Sequence, residues 1–274
     1  MTRRTLRAIV SPADLIDLDR YPVDALGGPL ARTVITEGNT SLRDEGVCIL
    51  PGFLRADAID DLVAECEKLA PLGHFSQVSG TPYIAPPDDS YPEGHPRRTA
   101  EPTSLTAVAY DLFPGDSAIR ALYEWDALME FISALLGRSP LYRYADPFGA
   151  LNLAVMNDGD ELHWHFDQTD FVVSIAIQSS DGGGDFENAK LIRSADDEHY
   201  DDVAAVLAGQ APGRVRTEPM TPGTLMVFEG RNSMHRVTPI KGDRPRYVAL
   251  LAYDTKPDTD SSDRLKTVRY GRLP

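Results

Sequence analysis

The sequence predicts a mainly β chain with flanking helices: a jelly-roll core behind an amino-terminal helical portion. Three observations predict it. From Pro140 onward, short runs rich in Val, Ile, Leu, Phe and Tyr alternate with Gly, Asn, Asp and Pro turns, the texture of a sandwich or barrel of short strands. Before Pro140, apolar residues recur at helical spacing. A chain of 274 residues is long enough for one such domain with a sizeable core.

Taken in order, Ser11-Pro12-Ala13-Asp14 is a capping hydroxyl followed by proline, a helix start, and the helix ends near Tyr21-Pro22. A connector through Pro29 leads to the apolar strand Val47–Leu50, stopped by Pro51-Gly52. Ile59, Leu62, Val63, Cys66 and Leu69 mark an amphipathic helix over 56–70. Residues 73–106, with Pro82, Pro86, Pro87, Pro92 and Pro96, read as one long loop of the lid or binding kind. Asp116 or Ser117 caps a helical region to Leu136, with a restart at Asp126 and Gly137 at the C′ position. Strands are expected over 141–145, 150–156, 161–167, 171–178, 185–187, 214–219, 224–229, 235–240 and 247–253, with a helical insert over 196–207. The whole chain reads as one domain: helical support and lid loop over 1–139, jelly roll over 140–257, and a carboxy-terminal tail over 258–274.

A net charge of −15 argues against nucleic acid or an anionic membrane as partner. Two cysteines are too few for a disulfide framework, and Cys66 falls on an apolar helix face, as a buried free thiol in a reducing compartment would. Arg3, Arg4 and Arg7 precede only Ala8-Ile9-Val10, too short an apolar run for a secretory signal, and no later run reaches transmembrane length. A cytoplasmic, soluble protein is expected.

The chemistry is concentrated in Leu162–Asp170, Leu-His-Trp-His-Phe-Asp-Gln-Thr-Asp. Alternate residues of a strand share a face, so His165 and Asp167 point one way and Trp164 and Phe166 the other. His235, on a second strand after the apolar run Thr224–Phe228, supplies a third ligand. Two imidazoles and one carboxylate with other positions open suit non-haem Fe(II). His163 shares the parity of His165 and stays open as the alternative ligand, a neighbour of the site or a substrate contact. Structural zinc is less attractive, because neither cysteine lies near this cluster. His74, His95 and His199 fall in loop-like or helical sequence, where surface positions are expected.

Arg246 opens the apolar strand Tyr247–Tyr253. A guanidinium there is costly unless paired, and its planar fork suits a carboxylate. Arg246 is therefore read as the holder of the distal carboxylate of a dicarboxylate cosubstrate. Arg244, before Pro245, is its competitor, with turn exposure the expectation.

With these residues in hand, the chain resembles the Fe(II)/2-oxoglutarate-dependent dioxygenases over about Val47 to Pro257. Their pattern His-x-Asp … His … Arg matches His165, Asp167, His235 and Arg246. His-Phe-Asp-Gln-Thr-Asp-Phe, Gly-Gly-Asp-Phe-Glu and His-Arg-Val-Thr-Pro … Arg-Pro-Arg … Tyr-Asp-Thr look more narrowly like a bacterial group of free-amino-acid hydroxylases and radical halogenases. The resemblance implies a double-stranded β-helix, the cupin-like jelly roll, binding Fe(II), 2-oxoglutarate and O2. Oxidative decarboxylation to succinate and CO2 would then drive hydrogen abstraction from a substrate carbon. Halogenases of the group replace the ligand carboxylate with a small residue; Asp167 is kept, which implies a hydroxylase or another oxidative tailoring enzyme.

A free amino acid or natural-product intermediate is the expected small-molecule substrate. Arg98 (beside Arg97) and Arg143 are candidates for its carboxylate, and Asp146, Asp170 and Asp254 for its amine. Asn152 is placed to face 2-oxoglutarate, and Gln168 to hydrogen-bond near the site although strand parity sets it opposite Asp167. Two other readings stay open, a hydroxylase of protein or peptide side chains and a non-catalytic metal- or ligand-binding cupin-like module. A homodimer is also left open.

Overall fold

Two facing sheets position everything else, and each strand's alternation shows why. The computed structural model describes residues 11–274; the basic segment at Arg3, Arg4 and Arg7 lies outside them. After a 3-10 turn at Pro12–Leu15 come helix α1 (Pro29–Glu45), strand β1 (Val47–Leu50) and helix α2 (Ala56–Leu69). Then follow β2 (His74–Gly80), β3 (Glu101–Val108), α3 (Ala118–Glu124), α4 (Asp126–Leu136), β4 (Tyr142–Arg143), β5 (Leu151–Met156), β6 (Leu162–His165), β7 (Val172–Gln178) and β8 (Phe186–Ala189). The chain continues through α5 (Tyr200–Leu207), β9 (Arg216–Glu218), β10 (Leu225–Phe228), β11 (Met234–Val237), β12 (Arg246–Leu251), β13 (Tyr253–Asp254) and α6 (Asp263–Tyr270).

The major sheet has the order β1-β10-β7-β12-β5-β3-β2 and the minor sheet β6-β11-β8-β9. All of the pairings are antiparallel. The two remain separate sheets among the described residues, so the jelly roll is an open sandwich and not a closed barrel. Leu153, Val155, Val173, Ile175, Val227 and Ala249 turn one way and pack with Leu62, Cys66, Leu122 and Phe131 of the helices. Their strand neighbours Ala154, Met156, Met226 and Phe228 turn the other way and meet Phe186 and Val237 of the minor sheet. The major strands therefore read as unbroken apolar runs, since both of their faces are covered. On the minor sheet's far side, Trp164, Phe166 and Met234 pack beneath Val203 and Val206 of α5. No helix among the described residues is long and apolar enough to cross a membrane.

Several expected boundaries are corrected. The helix expected at 11–21 is only the 3-10 turn. α1, read as connector, runs 17 residues. Its β-branched Thr, Val and Ile and its internal Gly38 and Asn39 hid it, yet Gly38 is what lets it pack. A Cβ there would lie 2.5 Å from a Leu135 methyl and 3.1 Å from Cys48 Sγ. The loop expected over 73–106 is mostly the β2–β3 hairpin, in register from His74 opposite Ala107 to Gly80 opposite Glu101; the loop proper is 81–100. β2 escaped notice because it is a polar edge strand, exposed along nearly its whole length. Residues 1–139 thus supply three strands of the major sheet besides helical support, and the tail at 258–274 contains α6. Cys48 and Cys66 are buried free thiols.

Candidate metal centre and its pocket

The site grows from one cross-strand pair. β6 and β11 set His165 opposite His235, with ring centroids 4.2 Å apart. Each imidazole is steered by a carbonyl two residues before it: His165 Nδ1 lies 2.6 Å from the His163 carbonyl oxygen and His235 Nδ1 3.0 Å from that of Ser233. A carbonyl only accepts, so both Nδ1 atoms carry the hydrogen and both Nε2 lone pairs are free for a ligand. Burial, then the neighbouring His235, pull the His165 imidazole down to about 4, so it is neutral near pH 7.

Asp167 lies just past the end of β6, where its N–H donates to the Gly230 carbonyl at 3.0 Å. Its Oδ2 is 3.5 Å from His235 Nε2 and its Oδ1 3.9 Å from His165 Nε2, both beyond hydrogen-bond reach. One donor atom from each residue lies within 4.8 Å of the others, the one group of this kind among the described residues. Asp167 Oδ2 is buried without a hydrogen-bond partner. A buried, unpartnered carboxylate oxygen beside two free imidazole lone pairs could hold a cation, and the N2O donor set suits non-haem Fe(II). His163 is outside this group, its Nε2 meeting the Glu101 carboxylate instead.

Arg246 faces the same cavity from the start of β12. It is only 7% exposed, and its Nη1 finds no better acceptor than Met156 Sδ at 3.9 Å. Burial pulls its guanidinium down to about 10 against the opposing field of Asp185. It forms no ion pair with another described residue, so it is a buried cation awaiting an anion. Arg244 is exposed and held by Asp181 and the Ser180 carbonyl.

The cavity between the sheets measures about 320 Å³. Its walls are chiefly apolar, with Phe186, Met226, Phe228, Val248 and Leu250 around the metal end. Loop 81–100 closes one edge with Thr81 and Ile84. The loop is fastened next to the ligands: Phe166 N–H donates to the Pro82 carbonyl at 2.8 Å, and the Tyr83 ring stacks on Phe166. Arg97 caps that stack, 4.5 Å over Tyr83 and bonded to Tyr200.

The remaining sequence candidates fall elsewhere, His163 excepted, which lines the cavity. Arg98 stays within its loop, bonding the Tyr91 carbonyl and Asp89. Arg143 is consumed by the Tyr123 and Glu124 carbonyls and Asp126. Asp146 is buried, accepting from the Phe148 N–H. Asp170 is exposed and bridges Arg138 and Arg231. Asp254, at the end of β13, accepts from the Thr259 hydroxyl. Gln168 is exposed on the far side of the ligand loop, as parity requires. Asn152 sits on the cavity-facing row through Ser174 and Leu250, buried with its Oδ1 unpartnered, but does not line the cavity.

Sequence reasoning missed α6, which lays Leu265, Val268 and Arg269 along the cavity. Its signals were present: the Ser262 hydroxyl caps the Leu265 N–H, Asp263 opens the first turn, and Gly271 ends the helix in the left-handed region.

The sequence pattern of the Halogenase D (HalD) family matches residues 96–269, well over half of the chain, a span that includes His165, Asp167 and His235. The chain belongs to the Halogenase D family. No curated protein matches it in sequence. Among solved structures it is similar to SnoN, described as a non-heme alpha ketoglutarate dependent epimerase from nogalamycin biosynthesis (15% identity, 81% of each chain covered, TM-score 0.55). It is similar also to a prolyl hydroxylase from Trichoplax adhaerens bound to a peptide (16%, 83% of this chain and 93% of that one, 0.53). A third is EctD from S. alaskensis with 2-oxoglutarate and 5-hydroxyectoine (17%, 80% and 75%, 0.51). At such identities the likeness establishes a shared fold. This Halogenase D family member therefore has the double-stranded β-helix of 2-oxoglutarate oxygenases.

Proposed function

We propose that this protein is an Fe(II)- and 2-oxoglutarate-dependent oxygenase that oxidises, by hydroxylation, an unactivated C–H bond of a small molecule. One observation carries the reading: in a single cavity, the unpartnered Asp167 carboxylate oxygen faces two imidazoles while the unpaired Arg246 guanidinium lies buried in the same walls. His165, Asp167 and His235 would hold the iron, and Arg246 the distal carboxylate of 2-oxoglutarate. Bound together, iron and cosubstrate supply an oxidant strong enough for C–H cleavage. The chain's own part is to fix both by contacts within the cavity, keep water off with Phe186, Phe228 and Val248, and hold the target carbon close. The narrow, chiefly apolar cavity under a fastened loop favours a small molecule, an amino acid or natural-product intermediate, over a protein side chain.

The family's name favours a second reading, halogenation. Asp167 weighs against it, because its carboxylate occupies the place a halide would take. Mass spectrometry of product formed in chloride and bromide buffers separates the two: a halide-dependent mass overturns hydroxylation.

The assignment itself is tested by anaerobic titration of metal-free protein with Fe(II) and 2-oxoglutarate. A weak visible charge-transfer band is expected, lost in His165→Ala and His235→Ala. Fe(II) binding without a band overturns the cosubstrate, and absence of metal binding overturns the enzyme in favour of a non-catalytic module.

A further inference from the structure

The cavity's charged lining is very sparse. Besides the imidazoles it consists of Asp167, Arg246 and one further group, Arg269 on the last turn of α6. Asp167 is accounted for by the metal and Arg246 by the cosubstrate, so Arg269 is a cation with nothing assigned to it. Its guanidinium makes neither a hydrogen bond nor an ion pair with another described residue; burial lowers its pKa, with only Tyr270 and Asp167 opposing. An unpaired, partly buried guanidinium in a cavity is costly until an anion reaches it.

Its setting is equally specific. Leu265, Val268 and Arg269 are spaced i, i+3, i+4 and so share one helical face. Across the mouth stand Val78 of β2 and Ile84 of the loop. Val78, Ile84, Leu265 and Val268 are 43%, 46%, 40% and 37% exposed, an apolar rim left open to solvent. Besides Asp167, the Glu101 carboxylate stands on the same β3 face as the cavity-lining Thr103 and Leu105, against the His163 imidazole. The acidic candidates Asp146, Asp170 and Asp254 are held by other partners outside the cavity.

Resting on the oxygenase reading, we propose that Arg269 captures the carboxylate of the substrate, and that this substrate is an organic carboxylate with an apolar body. The apolar rim takes the body, Arg269 the anionic end, and the target carbon is thereby hung over the metal centre.

The test uses enzyme loaded anaerobically with Fe(II) and 2-oxoglutarate, the charge-transfer band reporting binding of small probes. The probes are hexanoate against hexanamide, and N-acetyl-leucine against its carboxamide. Each carboxylate is expected to perturb the band at a concentration about tenfold or more below its carboxamide. Arg269→Gln should erase the carboxylate preference and Arg269→Lys restore part of it, with the 2-oxoglutarate titration unchanged in both. Equal binding of acid and amide, or no perturbation by any carboxylate at millimolar concentration, overturns the proposal. So does an Arg269→Gln variant that needs more 2-oxoglutarate, which would hand the residue to the cosubstrate. Failure of the oxygenase reading is distinct, because then the band never forms.

Discussion

The Asp167 carboxylate holds its place because the residue facing it has no side chain. A Cβ on Gly230 would lie 1.7 Å from Asp167 Oδ2 and 3.0 Å from its Cβ. The glycine is needed here for close approach, the same loop also fixing Asp167 through the Gly230 carbonyl. Gly230→Ala should therefore push the carboxylate out of line with the two imidazoles. Fe(II) affinity is expected to fall by about ten- to a hundredfold, the usual cost of disturbing a ligand's support, while thermal unfolding of the metal-free protein shifts little. Unchanged Fe(II) affinity would show that Asp167 has room to spare and is not a constrained ligand.

Helix α6 shows what was and was not legible at the scale of elements. The ligand strands were readable because period-2 alternation in His163–Asp167 and the apolar run before His235 are strong local signals. Arg246 was readable because a charge at the head of Tyr247–Tyr253 stands out. Arg269 was not, since nothing in Arg-Leu-Lys-Thr-Val-Arg says that its helix folds back over the cavity; that is set by tertiary contacts. Tyr270 sits on Phe148 with ring centroids 5.7 Å apart, and buried Lys266 meets Asp260. β2 and α1 were missed for a related reason: a polar edge strand and a helix rich in β-branched residues take their form from neighbours, not from propensity. If Tyr270 is the anchor, Tyr270→Ala removes about 3 kcal/mol of packing. Amide exchange over 263–270 should then quicken by about a hundredfold while β5, β7 and β12 keep their protection. Uniform loss of protection would mean that α6 is part of the global core, not a locally anchored cover.

At the scale of the whole molecule, a protein of net charge −15 must draw a dianionic cosubstrate, and by our proposal an anionic substrate, into a cavity whose free cations are Arg246 and Arg269. Two fields compete. The acidic surface repels over the whole molecule at about 10 mM salt, where screening sets in only at about 30 Å. At about 150 mM that reach shrinks to about 8 Å, leaving the cavity's own guanidinium groups and the bound metal to act alone. Salt should thus remove the repulsion before it weakens the attraction. The rate at which 2-oxoglutarate generates the charge-transfer band in Fe(II)-loaded protein, followed by stopped flow, is expected to rise several-fold between those salt concentrations. Arg246→Gln should retain that rise while losing affinity, because the repulsion belongs to the surface. A rate that falls with salt would show that the positive cavity already governs the approach at long range, and that the acidic residues lie too far from its mouth to be felt.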